Sequence, residues 1–223
     1  MTGPLHHPGE DLLLEYASGA MAEPLALLVA THLTLCPACR AEADRLEALG
    51  GAMLQDIGAE PVSSGLLDRV LDCLDDAGPD AEAAVARETR PVATGAPFLV
   101  PAPLHPYLGD GFGKLPWRTM MGLKEVELLK DRPGFTTRLM RITPGAVMPR
   151  HTHEGAEMTL VLSGGFTDRG NHFVRGDVAI AGPSDDHQPV ADSDGECVCL
   201  AVTSAPLRLT GPIGRYLNPF IRI

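Results

Sequence analysis

The sequence predicts an α+β chain in two parts: a small helical domain followed by an all-β barrel. Three observations lead there. Residues 9–78 carry apolar side chains at helical spacing. Residues 105–223 break into short apolar runs separated by Gly, Pro and Asp turns. The stretch between them is rich in Ala, Pro and Thr, with little apolar periodicity. At 223 residues the chain is long for one ordinary domain and comfortable for two small ones.

The elements follow in order. "EDLLLEYASGAM" reads as a short helix ending near Gly19. "PLALLVATHL" begins a second, with Pro24 suited to its first turn. Pro37 cannot continue that helix but fits the first position of a third, "PACRAEADRLEALGGAML", with Leu46, Leu49 and Met53 on one face. Ser63 or Ser64 can cap a fourth, in which Leu66, Leu67, Val70, Leu71 and Leu74 recur at helical spacing, and Gly78-Pro79 stops it. The domain boundaries expected are 1–78 for the helical part, 79–104 for a linker with a short helical piece at 80–88, and 105–223 for the barrel. The barrel strands are "FTTRLMRI", "AEMTLVLSG", "DVAIA", "ECVCLAVT" and "LRLT", with Trp117 anchoring the first strand.

Charge is uneven. Residues 1–80 hold fourteen acidic side chains against Arg40, Arg45 and Arg69, so the whole net charge of −11 lies in the first third. A basic protein partner fits that field, whereas direct nucleic acid binding would meet phosphate repulsion. The longest apolar run, "LALLVA", is far too short for a bilayer, and no basic-then-apolar signal peptide opens the chain. Five cysteines, two of them at ligand spacing, point to a reducing cytoplasm rather than to disulfides.

The first metal-capable set lies in "THLTLCPAC". His32, Cys36 and Cys39 fall at the turn between the second and third helices. In an antiparallel hairpin the start of the first helix lies beside that turn, so His7 completes the set, with His6 as the neighbouring alternative. Two thiolates and two imidazoles form a closed tetrahedral site of the structural zinc type, with no position open for substrate.

This ordering, an early His followed by "THLTLCPAC" in a small acidic helical domain, resembles the zinc-binding anti-sigma factors. It is most similar to the ChrR type, which joins that domain to a cupin, a double-stranded β-helix barrel. The resemblance implies zinc at His7, His32, Cys36 and Cys39. It also implies that the helical domain masks an extracytoplasmic-function sigma factor, whose basic surfaces suit the acidic bias. The C-terminal domain is then needed for release after singlet oxygen or organic peroxide stress.

The second set lies in "GAVMPRHTHEGAEMTLVLSG". His151 and His153 are two apart, so on a strand they face one side, and Glu157 can return to the same cavity. "GDVAIAGPSDDH" adds His187. Three imidazoles and a carboxylate suit zinc, manganese or iron(II). The first stretch fits the first cupin motif through Gly145, His151, His153, Glu157 and Gly164. The second motif is looser. Gly176 and His187 are in place and Pro183 is one residue late, while the usual glycine before the histidine and asparagine after it are absent.

Cys197 and Cys199 share one face of a strand and read as packing, with an oxidisable thiol pair as the alternative. Met120, Met121, Met140, Met148 and Met158 read as core, His172 as a hairpin surface residue, and Cys73 as incidental. The reading is therefore a cytoplasmic regulator with no catalytic residue. The helical domain holds the sigma factor, and the cupin couples an oxidative signal to its release. The rival is a dioxygenase-like cupin metalloenzyme with an N-terminal zinc interaction domain.

Overall fold

The computed structural model describes residues 3–75, 95–120, 122–130 and 132–211. The helical piece expected at 80–88, most of the 79–104 linker and Met121 lie outside the described residues. Among the described residues the α-helices are α1 (Glu10–Ala17), α2 (Glu23–Leu35), α3 (Pro37–Gln55) and α4 (Leu66–Asp75). Glu10 and Asp11 in the first turn of α1 favour the positive end of its dipole. Gly19, at φ 72°, takes the left-handed conformation that turns the chain after it. Pro24 sits in the first turn of α2, and Pro37 opens α3 immediately after Cys36. Before α4 the backbone carbonyl of Ser63 accepts the Leu66 N–H at 3.1 Å, and its hydroxyl accepts from Arg69.

The strands are β1 (Arg118–Met120), β2 (Leu123–Glu127), β3 (Thr136–Ile142), β4 (His151–His153), β5 (Glu157–Ser163), β6 (Gly165–Asp168), β7 (Asn171–Val174), β8 (Val178–Ala181), β9 (Val190–Ala191), β10 (Cys197–Thr203) and β11 (Leu207–Leu209). They form a six-stranded antiparallel sheet in the order β1-β2-β3-β10-β5-β8, a three-stranded sheet β7-β6-β9, and the pair β11-β4.

The six-stranded sheet is covered on both faces. Along β10, Val198, Leu200 and Val202 enter one cluster, and Cys197 and Cys199 enter the other. Along β5, Met158, Leu160 and Leu162 join the first and Val161 the second. The period of two that separates these sets also turns Glu157 and Thr159 toward the barrel interior. The outer cluster is completed by Leu27 and Leu28 of α2, by Leu104 and Phe112 from two 3₁₀ turns, Ala102–Tyr107 and Phe112–Lys114, and by Leu108, which caps the first of them. Glu23 of α2 accepts from Tyr107 (3.0 Å) and Arg132 (2.5 Å) and pins the helix at its start. Trp117 donates to the Phe112 carbonyl at 3.2 Å just ahead of β1.

By internal contact, residues 1–48 and 94–223 form one compact unit and residues 49–93 another. In the second unit the apolar residues of α4 stay exposed, Leu67 at 68% and Leu74 at 66%.

Candidate metal centres

The donor atoms of His7, His32, Cys36 and Cys39 lie within 4.8 Å of one another. The break between α2 and α3 places Cys36 at the end of one helix and Cys39 in the first turn of the next. His7 Nδ1 is 3.4 Å from Cys36 Sγ and 3.3 Å from Cys39 Sγ. A tetrahedral ion with bonds of about 2.0–2.3 Å separates its donors by about 3.3–3.8 Å, so this spacing fits one. His32 is fully buried. Its Nδ1–H donates to the Gly176 carbonyl at 2.8 Å, which leaves Nε2 as the free donor atom, buried and without a protein partner. An orphaned buried nitrogen is costly, and a cation answers it. His6, the alternative, is directed elsewhere: its Nδ1 lies 3.4 Å from Asp177 Oδ2 and its ring packs on Phe173.

The electrostatics fit the same reading. Burial, with hydrogen bonding to Cys36, pushes the Cys39 thiol up to about 12, and burial also pushes His32 below the usual imidazole range. A dication reverses the first effect by stabilising thiolate and finds the second already in its favour, because it binds neutral imidazole.

The second set, His151, His153, Glu157 and His187, also has its donor atoms within 4.8 Å of one another. His151 and His153 both point inward from β4, as their spacing predicts. His187 is brought opposite by a two-way backbone bridge to His151, at 3.0 and 2.9 Å. His153 Nε2 lies 3.0 Å from His187 Nε2 and 3.2 Å from Glu157 Oε2. Burial lowers His151. Burial would raise Glu157, but the hydrogen bond and charge of His153, with the charges of His151 and His187, hold it below the ordinary glutamate range. The result is a carboxylate held in its anionic form beside three imidazoles, a donor set for zinc, manganese or iron(II).

Sequence reasoning missed the groups that orient these ligands. His187 Nδ1 is 2.9 Å from the buried Asp168 carboxylate, and His151 Nδ1 is 2.7 Å from the Pro149 carbonyl. Each contact aims the other ring nitrogen at the centre. Neither Asp168 nor a backbone carbonyl has a spacing signature. Beside this set a cavity of about 160 Å³ opens, walled by Met120, Met140, Met148, Phe166 and Cys199. Cys197 and Cys199 are fully buried with their sulfurs 3.5 Å apart, at a register shift in the β10–β5 pairing. The hydrogen bond to Cys197 and burial push the Cys199 thiol well up. His172 is exposed and bonds Asp192 at 2.8 Å, while Cys73 is exposed on α4.

Among the described residues no single helix is long and apolar enough to cross a membrane. Residues 111–206 match the family described as the ChrR Cupin-like domain. A curated relative, the anti-sigma-E factor ChrR of Cereibacter sphaeroides, is 38% identical over 218 residues, covering 98% of each chain. A crystal structure of Rhodobacter sphaeroides SigE in complex with the anti-sigma ChrR matches with a TM-score of 0.74 at 36% identity, covering 89% of this chain and 98% of that one. The barrel is thus a cupin preceded by a helical region with a Cys/His cluster. An identity of 38% sustained from the first ligand set to the second places the chain in the ChrR family of anti-sigma factors.

Proposed function

We propose that this chain sequesters an extracytoplasmic-function sigma factor through its helical region and releases it when the cupin registers an oxidative signal. One observation carries the first half: α4 and the end of α3 expose Leu49, Met53, Leu67, Val70, Leu71 and Leu74. Exposed apolar side chains gathered on neighbouring helices in this way mark a surface for a partner. The relatives named above are an anti-sigma factor and its complex with SigE, and the acidic bias of residues 1–80 suits a basic partner. The role is regulatory rather than catalytic, and the setting is the cytoplasm, where sigma factors meet polymerase.

In this reading residues 1–78 bind the sigma factor, 79–104 link, and 105–223 sense. His7, His32, Cys36 and Cys39 hold zinc, which fixes the helical region. His151, His153, Glu157 and His187 hold zinc, manganese or iron(II), which would order the cavity wall. Oxidisable groups line that wall, with Cys199, Met140 and Met148 beside His151 and Glu157, and this supports singlet oxygen or an organic peroxide as the signal.

The test has two arms. Tagged chain drawn from a bacterial lysate should carry a sigma factor with it, and its absence would remove the first half. A sigma-dependent reporter should stay off under peroxide or singlet oxygen in His151→Ala, His153→Ala and Glu157→Ala cells. Normal induction in all three would remove the cupin from the sensing step.

A further inference from the structure

Residues 4–7 leave the helical region and run against a single turn of the barrel. Asp177, fully buried at the head of β8, receives three backbone N–H groups. Its Oδ1 accepts from Leu5 (2.6 Å) and His6 (3.0 Å), and its Oδ2 accepts from Val174 (2.9 Å). In return Val178 N–H donates to the His6 carbonyl at 3.0 Å. Next to it, the Gly176 carbonyl accepts a hydrogen bond from His32 Nδ1–H. Gly176 stands at φ 95°, and a Cβ there would lie 2.6 Å from Pro4, so this position admits the passing segment only as glycine.

Two of the four donors in the first centre therefore depend on one turn of the barrel. His7 follows directly on the two residues that Asp177 clamps, and the ring of His32 is set by Gly176. We infer that the Gly176–Asp177 turn is a positioning element for the first metal centre: the cupin holds that centre in shape, with Asp177 as the residue that places His7. This rests on the metal reading of His7, His32, Cys36 and Cys39, but not on any identity of the partner or of the signal.

Cobalt(II) isolates the first centre, because thiolate-to-cobalt charge transfer arises only where cysteines are ligands. The full chain is titrated with cobalt against a chelator of known affinity. Asp177→Asn keeps the size but leaves one acceptor oxygen and turns an NH₂ group toward a backbone donor. It should weaken the cobalt–thiolate site about 10- to 100-fold, the usual effect of losing an orienting partner of a ligand. Ile142→Ala, a cupin core change on the opposite cluster, should leave that affinity unchanged. Wild-type affinity in Asp177→Asn overturns the inference, and so does an equal loss in Ile142→Ala. If Asp177→Asn fails to fold, Leu5→Pro decides. It removes one donor to Asp177 at an exposed side chain, 75% accessible, and leaves every cupin residue unchanged. A weaker site supports the inference and an unchanged one overturns it. Absence of any cobalt–thiolate band in wild type would instead refute the metal reading beneath it.

Discussion

A chain cut after residue 85 should fold only while it holds its metal. The cut removes the surface against which α2 packs. Leu27 and Leu28 are 5% and 0% exposed, and both lie in the cluster shared with Leu104, Leu108 and Leu200. Burying a leucine contributes about 1.5–3 kcal/mol, so the pair alone accounts for about 3–6 kcal/mol. The Asp177 clamp and the Gly176 acceptor are lost as well. Whole domains are stable by only about 5–15 kcal/mol, and so short a fragment belongs at the low end. Structural zinc supplies about 10–16 kcal/mol of apparent binding energy in small domains, enough to restore the fold. Far-UV circular dichroism of the fragment, with zinc and then with excess chelator, reads the outcome. Helical signal should vanish with the chelator and return with zinc. A metal-free fragment that keeps its helicity and melts cooperatively would refute the reasoning, because neither the lost packing nor the ion would then matter.

The remaining expectations are simpler to read. Metal analysis should give two ions per wild-type chain and one in Cys36→Ser, and one ion in folded wild type would leave only a single centre. Association with the sigma factor should slow as salt rises, since the net charge lies within residues 1–80; an on-rate flat with salt would reduce the acidic bias to a solvated surface. Burial pushes the Asp177 carboxyl up, but the N–H groups of Val174, His6 and Leu5 and the His6 side chain outweigh it and hold the group below the ordinary aspartate range. The stability that this provides is present above the unfolded value of about 3.9 and disappears as pH falls through the lower folded value. The urea stability gap between wild type and Asp177→Asn should therefore be full near neutrality and shrink only in acid below about pH 4; a gap that shrinks already at pH 6 would contradict this.

Much of the clustering of the candidate ligands was legible because donor spacing is a local property. Cys36 and Cys39 at a helix break, and His151 and His153 on one strand face, need only local geometry to be read. His7 followed from hairpin topology, and His187 from a motif that holds despite its altered flanks. The docking of α2 onto the barrel was not read, although two signs were present. "LALLVA" is apolar on every side, as a helix covered on more than one face must be. "CVCLAVT" lacks the polar alternation of a strand with a wet face, which marks a strand buried on both. Each sign says that something covers the element, and neither says what. The carboxylates of Asp168 and Asp177 were invisible for a different reason. A side chain that acts by accepting from groups many residues away leaves no local pattern.

The outer face of the six-stranded sheet gives the helical region a bearing on how a cell would reset this protein. Leu139, Leu160, Leu162 and Leu200 are sealed in a cluster that α2 helps to close. A protease that removed residues 1–48 would leave those leucines under a thinner cover. A remnant with so large an apolar surface is a substrate for aggregation or clearance and not a reusable part. Destruction of the helices would then be a one-way event, and the sigma factor would fall silent again only as fast as ribosomes supplied intact new chains.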